Sequence, residues 1–245
     1  MLAALRYSTD PLTSPFFLPD VVIRASMKST TPCVSKERMG KMRLITETVY
    51  KFEELPANVQ KRVIENNRYI NVDGFSWYNF IYENFVSDVK RIYGVTLDCD
   101  EISFSGFSTQ GDGASFTHKF SEEEINNLLT RFNINFRHRM KNLFVNSCCA
   151  EVKRIAYSYC HEKTVRSDVY ACDTGHDRID RYFEKKAEEL EKEIEKWKDH
   201  LCKELYRQLE EEYDWQTNDD SVADTIEAID EEYYGNGDLY TRETA

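Results

Sequence analysis

The feature that most limits the fold of this chain is a stretch near its C-terminal end, where apolar residues recur every three or four positions between charged ones. From Ile179 onward Phe183, Ala187, Leu190, Ile194, Trp197, Leu201, Leu205, Leu209 and Tyr213 form one seam, the period of an amphipathic helix. A helix over that stretch spans about 50 Å at ~1.5 Å per residue, longer than a small domain is wide. Its apolar face must meet something. It folds back on a sheet, pairs with a second subunit, or projects as an arm, and the sequence leaves the three open.

The rest of the chain supplies elements to receive such a helix. Leu44 to Phe52 is rich in β-branched and aromatic residues and reads as a strand. Pro56 suits the first turn of a helix running to about Asn67, with Val59 and Val63 inward. A second helix is expected from about Gly74 to Tyr93, on a stripe of Trp77, Ile81, Phe85, Val89 and Ile92. The runs EISFSGF and GASFTHKF flank STQGDG as a hairpin. Ser121 with Glu124 three residues on is a capping-box signature for a helix from Glu122 to Phe144. AEVKRIAYSY and TVRSDVYAC form a second strand pair, joined through Cys160, His161, Glu162 and Lys163. A short acidic helix over Ser221 to Glu232 and a terminal hairpin turn in YYGNGDLY close the chain. The expected class is α+β: a mostly antiparallel sheet of about five strands, packed helices and one long amphipathic C-terminal helix.

Three stretches are distinguished. Residues 1–41 hold four of the five prolines and a net charge of +3, have no period that could bury a face, and read as a disordered or loosely attached leader, with Met39 and Met42 as alternative starts. Residues 42–173 form the α+β core. Residues 174–245 carry the long helix, the acidic helix and the terminal hairpin, packed on that core.

Charge and cysteine content exclude several function classes. The net charge of −12 argues against direct binding to nucleic-acid phosphates, which draws its affinity from Lys and Arg. No apolar run reaches the ~20 residues a membrane span needs. Seven scattered cysteines without a CxxC pair or a signal peptide read as reduced thiols in a cytoplasm. From Glu204 to the C-terminus fourteen acidic residues face two basic ones, so the acidity is concentrated there. Glu210, Glu211, Glu212, Glu231 and Glu232 are the candidates for meeting a basic protein partner.

Chemistry-bearing residues gather at the two hairpin tips. Gly111-Asp112-Gly113 lacks the helix that a phosphate cradle requires immediately after its glycines. Those glycines therefore serve turn geometry first. His161 beside Glu162, with Asp168 on the following strand, has the residue types of a general base or metal ligand, but no second His stands at ligand spacing. Convergence of the two tips would assemble Gln110, Gly111, Asp112, Gly113, His161 and Glu162 into one ligand-binding pocket. No catalytic residue, metal or cofactor is called for, since nucleophile motifs are missing and the adjacent Cys148 and Cys149 have no base nearby in sequence.

Taken together, VYKFEELPANVQKRVIE, WYNFIYENF, FSGFSTQGDGASF, YSYCHEKTVRSD, LYRQLEEEYDW and DDSVADTIEAIDEEY resemble a family of small phage and mobile-element proteins commonly labelled antitoxin of a toxin-antitoxin stability system. The likeness runs in order from about Thr46 to Tyr240. It implies an accessory protein acting by binding in the host bacterial cytoplasm, antitoxin-like or an anti-defence inhibitor, and it transfers no active site. The alternatives are a small-nucleotide sponge or metal-dependent hydrolase at the hairpin tips, and a structural protein that oligomerises through the long helix.

Overall fold

The computed structural model describes residues 46–74, 76–137 and 139–241. The basic leader expected over 1–41, and the first residues of the strand expected from Leu44, lie outside them. The described residues run β1 (Val49–Lys51), α1 (Ala57–Asn66), α2 (Asn79–Tyr93), β2 (Ile102–Phe104), β3 (Ala114–Phe116), β4 (His118–Lys119), α3 (Glu122–Arg131), α4 (Met140–Ser147), β5 (Cys148–Arg154), β6 (Val165–Ala171), α5 (Asp177–Gln216), α6 (Asp219–Ile229) and β7 (Glu232–Tyr234). The class is α+β with every strand pair antiparallel. The strands form three small sheets, β1–β7, β2–β3 and β4–β5–β6, instead of one sheet of five. The division has a local cause at Thr117. Before it the chain pairs with β2, after it with β5, so one run of strand-forming sequence is shared between two ladders.

Two helices differ from their sequence pattern at the ends. Helix α2 begins at Asn79, and its buried face keeps Phe85 and Val89 of the expected stripe but adds Tyr82, while Ile81 is only partly buried and Ile92 is exposed. The Ser121 cap forms, with the Ser121 amide donating to the Glu124 carboxylate at 2.8 Å and the Glu124 amide to Ser121 Oγ at 3.3 Å. The helix it opens does not reach Phe144. It stops after Arg131, where Asn133 takes a left-handed conformation (φ 56°). There the Asn133 amide donates to Thr130 O and the Ile134 amide to Leu129 O. This pair of bonds is a Schellman stop with Asn in the place Gly usually fills.

Helix α5 is 40 residues long, about 60 Å at ~1.5 Å per residue, and its seam lies where the period puts it. Phe183, Leu190, Ile194, Leu205 and Leu209 are fully buried, and Ala187, Trp197 and Leu201 nearly so. β6, β3, α2 and α6 meet the helix along its length, so of the three outcomes the sequence leaves open the seam takes the first, and its apolar face is closed from within the chain.

Apolar residues gather into two clusters. The larger runs in sequence from Tyr82 to Leu209 and surrounds α5. The smaller joins the two ends of the described chain: Phe52, Leu55, Val59 and Val63 pack with Val222, Ile226 and Tyr233. The terminal hairpin forms as expected, with the Gly237 amide donating to Tyr234 O. Gly237 (φ +87°) presses so closely on α1 that a Cβ would stand 2.9 Å from Val59 Cγ1.

Candidate functional site

The two hairpin tips meet. A Cβ on Gly113 would lie 2.5 Å from His161 Cβ and 2.8 Å from Cys160 O, so glycine is required there for close approach of one loop to the other. The Cys160 amide donates to Ser105 Oγ at 3.0 Å, and the Tyr159 ring lies against Gly111. The tips therefore touch through Gly111, Gly113, Tyr159, Cys160 and His161, and the question passes to what the polar atoms of Gln110, Asp112, His161 and Glu162 do.

Most of those atoms hold the loops themselves. The Asp112 carboxylate accepts the Ser108 amide at 2.8 Å and the Thr109 amide at 2.6 Å, a side-chain turn of the kind Asp favours. The amide of Thr109 above all holds its carboxyl below the usual value. His161 Nδ1 accepts the Lys163 amide at 3.1 Å, while the His161 amide donates to Thr164 Oγ1. The Glu162 carboxylate stands 4.0 Å from His161 Nδ1, and Gln110 points to solvent. Asp168 turns away to ion-pair with Lys153 on the outer face of the sheet. Among the described residues no group of three or more His, Cys, Asp or Glu could hold a metal ion. Burial pushes the Cys148 thiol up to about 12, which leaves it inert as a nucleophile at neutral pH.

The first tip is fixed on α5 by aromatic rings. Phe107 stacks on Tyr206 with centroids 5.5 Å apart, lies 4.7 Å from the Tyr213 ring, and stacks on Phe104 at 5.6 Å. Trp77 packs edge-on to Phe104 at 5.8 Å. Phe104 and Phe107, on the N-terminal side of the Gly-rich run, thus anchor the loop.

Under the second tip lies a charge the sequence reading missed. Lys198 is 1% exposed, and its ammonium donates to Glu162 O (2.8 Å), Val165 O (2.9 Å) and the Glu195 carboxylate (2.7 Å), with Asp199 at 3.0 Å. Glu195 in turn accepts from both the amide and the hydroxyl of Ser167. Burial pushes the Glu195 carboxyl up, but Lys198 and Ser167 outweigh it and hold it low. A buried ammonium must be paired to be tolerated, and here the pairing ties the second tip to α5. The available signal was a lysine on the apolar side of the helix, between Ile194 and Leu201.

Of the five glutamates expected to face a partner, Glu211 is bridged to Arg207 and Glu212 accepts from Gln216. Glu210 is half-buried, and Glu231 and Glu232 stand exposed where β7 begins. The exposed acids Asp214, Asp220, Asp224 and Glu227 join those two, and none of the six is ion-paired among the described residues.

Residues 77–219 match the DUF8835 profile, a domain of unknown function, over more than half of the chain. The chain belongs to the DUF8835 family. No curated protein and no solved structure matches it. The matched segment of this DUF8835 protein encloses the larger hydrophobic cluster, both hairpin tips and Lys198; the smaller cluster and five of those six unpaired acids, all but Asp214, lie outside it. No described helix is long and apolar enough to cross a membrane.

Proposed function

We propose that this DUF8835 protein acts by binding another protein through its acidic C-terminal surface. One observation carries the reading: six exposed carboxylates between Asp214 and Glu232 are left without ion-pair partners, beside an exposed Trp215 (57%) and Ile229 (46%). A field of one sign with an aromatic anchor inside it suits a basic partner surface, since the charge steers encounter and the buried ring supplies affinity. The likeness to phage and mobile-element proteins supports a narrower version, an accessory factor that neutralises or regulates a host or element-encoded protein in the manner of an antitoxin or anti-defence inhibitor. The nucleotide or metal reading of the hairpin tips draws less support, because Asp112 and His161 already hold their own loops.

The test is recovery of a specific partner from bacterial lysate at low salt, with declining yield as salt shortens the screening length to about 8 Å near physiological ionic strength. Asp214, Asp224, Glu227, Glu231 and Glu232 converted together to their amides should lose that partner while keeping the wild-type circular dichroism. Undiminished recovery by this variant rejects the proposal.

A further inference from the structure

Strand β6 is one of the two edge strands of the three-stranded sheet, so one of its edges must find partners outside the ladder. Its register with β5 decides which residues face that way. Ile155 donates to Thr164 O and Cys172 to Ser147 O, and both bonds continue the register that aligns Val152 with Ser167. The even-numbered residues of β6 therefore bond to β5, and Val165, Ser167, Val169 and Ala171 turn their amides and carbonyls outward. At the first two, α5 closes the edge: Lys198 donates to Val165 O and Ser167 donates to Glu195. At Val169 and Ala171 no described residue takes this role.

That uncovered half of the edge lines a groove of about 690 Å³ between β6 and the first turns of α5, with Asp177, Glu184, Ala187 and Glu188 on the helix side. Including Asp173 and Asp180, its walls carry five carboxylates against the single guanidinium of Arg181. Asp180 is engaged with the amide and hydroxyl of Thr174, whereas Glu184 and Glu188 are exposed and make no ion pair among the described residues. The same edge is thus satisfied by side chains at one end and left open, in an acidic groove, at the other.

We propose that this groove receives an extended, lysine- or arginine-rich segment of a partner protein as an added strand on β6. The outward amides and carbonyls of Val169 and Ala171 supply the main-chain pairing, and side chains two apart on the added strand reach the carboxylates of α5. At ~3.3 Å per residue a segment of about four to six residues fills the edge. The site lies inside the family segment, apart from the acidic C-terminal surface, and goes beyond the function proposed above.

The experiment titrates the full chain with a labelled octapeptide alternating lysine and valine at low salt, read by fluorescence anisotropy and by hydrogen exchange. Saturable binding is expected, with new protection of the Val169 and Ala171 amides. Ala171→Pro removes one outward amide and no bond to β5, and should weaken binding about tenfold or more with the thermal melt retained. Should that variant melt early, the exposed pair Glu184→Lys and Glu188→Lys provides the second arm, with the same loss expected. Failure of the octapeptide to bind, equal binding of a glutamate-valine octapeptide, or protection that appears at residues 219–232 instead of β6 would each overturn the proposal.

Discussion

The two hydrophobic clusters are built by different means. The larger one is threaded by a single 40-residue helix that presents its seam to strand after strand, and it contains polar keystones: the buried Lys198 with Glu195 and Ser167, and the capped Glu124 facing His118. The smaller one is a clasp made from the two ends of the described chain. Its outer bonds are surface ion pairs, Lys51 with Asp230 and Arg68 with Asp219, with both aspartates largely exposed. The family match covers the first and stops short of the second. The family segment of this chain is thus the core around α5, and the clasp is built from residues on either side of that segment.

If this contrast is right, damage to the core should be global and damage to the clasp local. Leu205→Ala removes a fully buried side chain from the seam and should cost about 3–5 kcal/mol, seen as a lowered midpoint for the whole denaturant transition. Lys198→Ala takes the donor from the Glu162 and Val165 carbonyls, the cation from Glu195 and a fully buried side chain from the core, and should cost about 3–5 kcal/mol. Because the two charges are one unit, adding Glu195→Gln to that variant should cost much less than it does in the wild type, a double-mutant cycle that sharpens the keystone reading.

Ile226→Ala should cost about 2–4 kcal/mol, yet the loss should appear as faster hydrogen exchange in α1, α6 and β7 with protection in β5 and β6 retained. Equal loss of protection in both clusters would erase the distinction. The smallest effect belongs to Glu124. Burial pushes its carboxyl up, but the amides of Ser121 and Thr96 and the facing His118 bring it below the usual glutamate value. A depressed carboxyl stabilises the fold above its unfolded pKa and loses that contribution as pH falls through the folded one. Glu124→Gln should therefore be destabilised by about 0.5–1 kcal/mol at pH 7, and the gap from wild type should close as pH drops below about 4. A gap that stays constant to pH 3 would remove Glu124 from the keystones.

The aromatic loop shows how far residues alone could be read. FSGFSTQGDGASF is a hairpin turn, and its glycines do serve geometry. That much follows from alternation and turn chemistry. That Gly113 is required because His161 stands behind it, or that Phe107 reaches Tyr206 and Tyr213 roughly a hundred residues away, depends on contacts no local pattern encodes. The groove beside β6 was illegible for the same reason: strand character is visible in TVRSDVYAC, but which edge is covered and which is open depends on where α5 crosses it.

Periodicity and turn chemistry alone determined the class, the long helix and its buried face, the cap at Ser121, the helix start beside Pro56, and both strand pairs, because each is settled within a few turns or one hairpin. Tertiary structure decided what the seam of α5 meets, how one run of strand is divided between two sheets at Thr117, why a lysine lies inside, and that the chain's two ends close on each other. Those outcomes depend on residues far apart in the chain competing for the same apolar surface and the same hydrogen-bond partners, and that competition is resolved only when the elements pack.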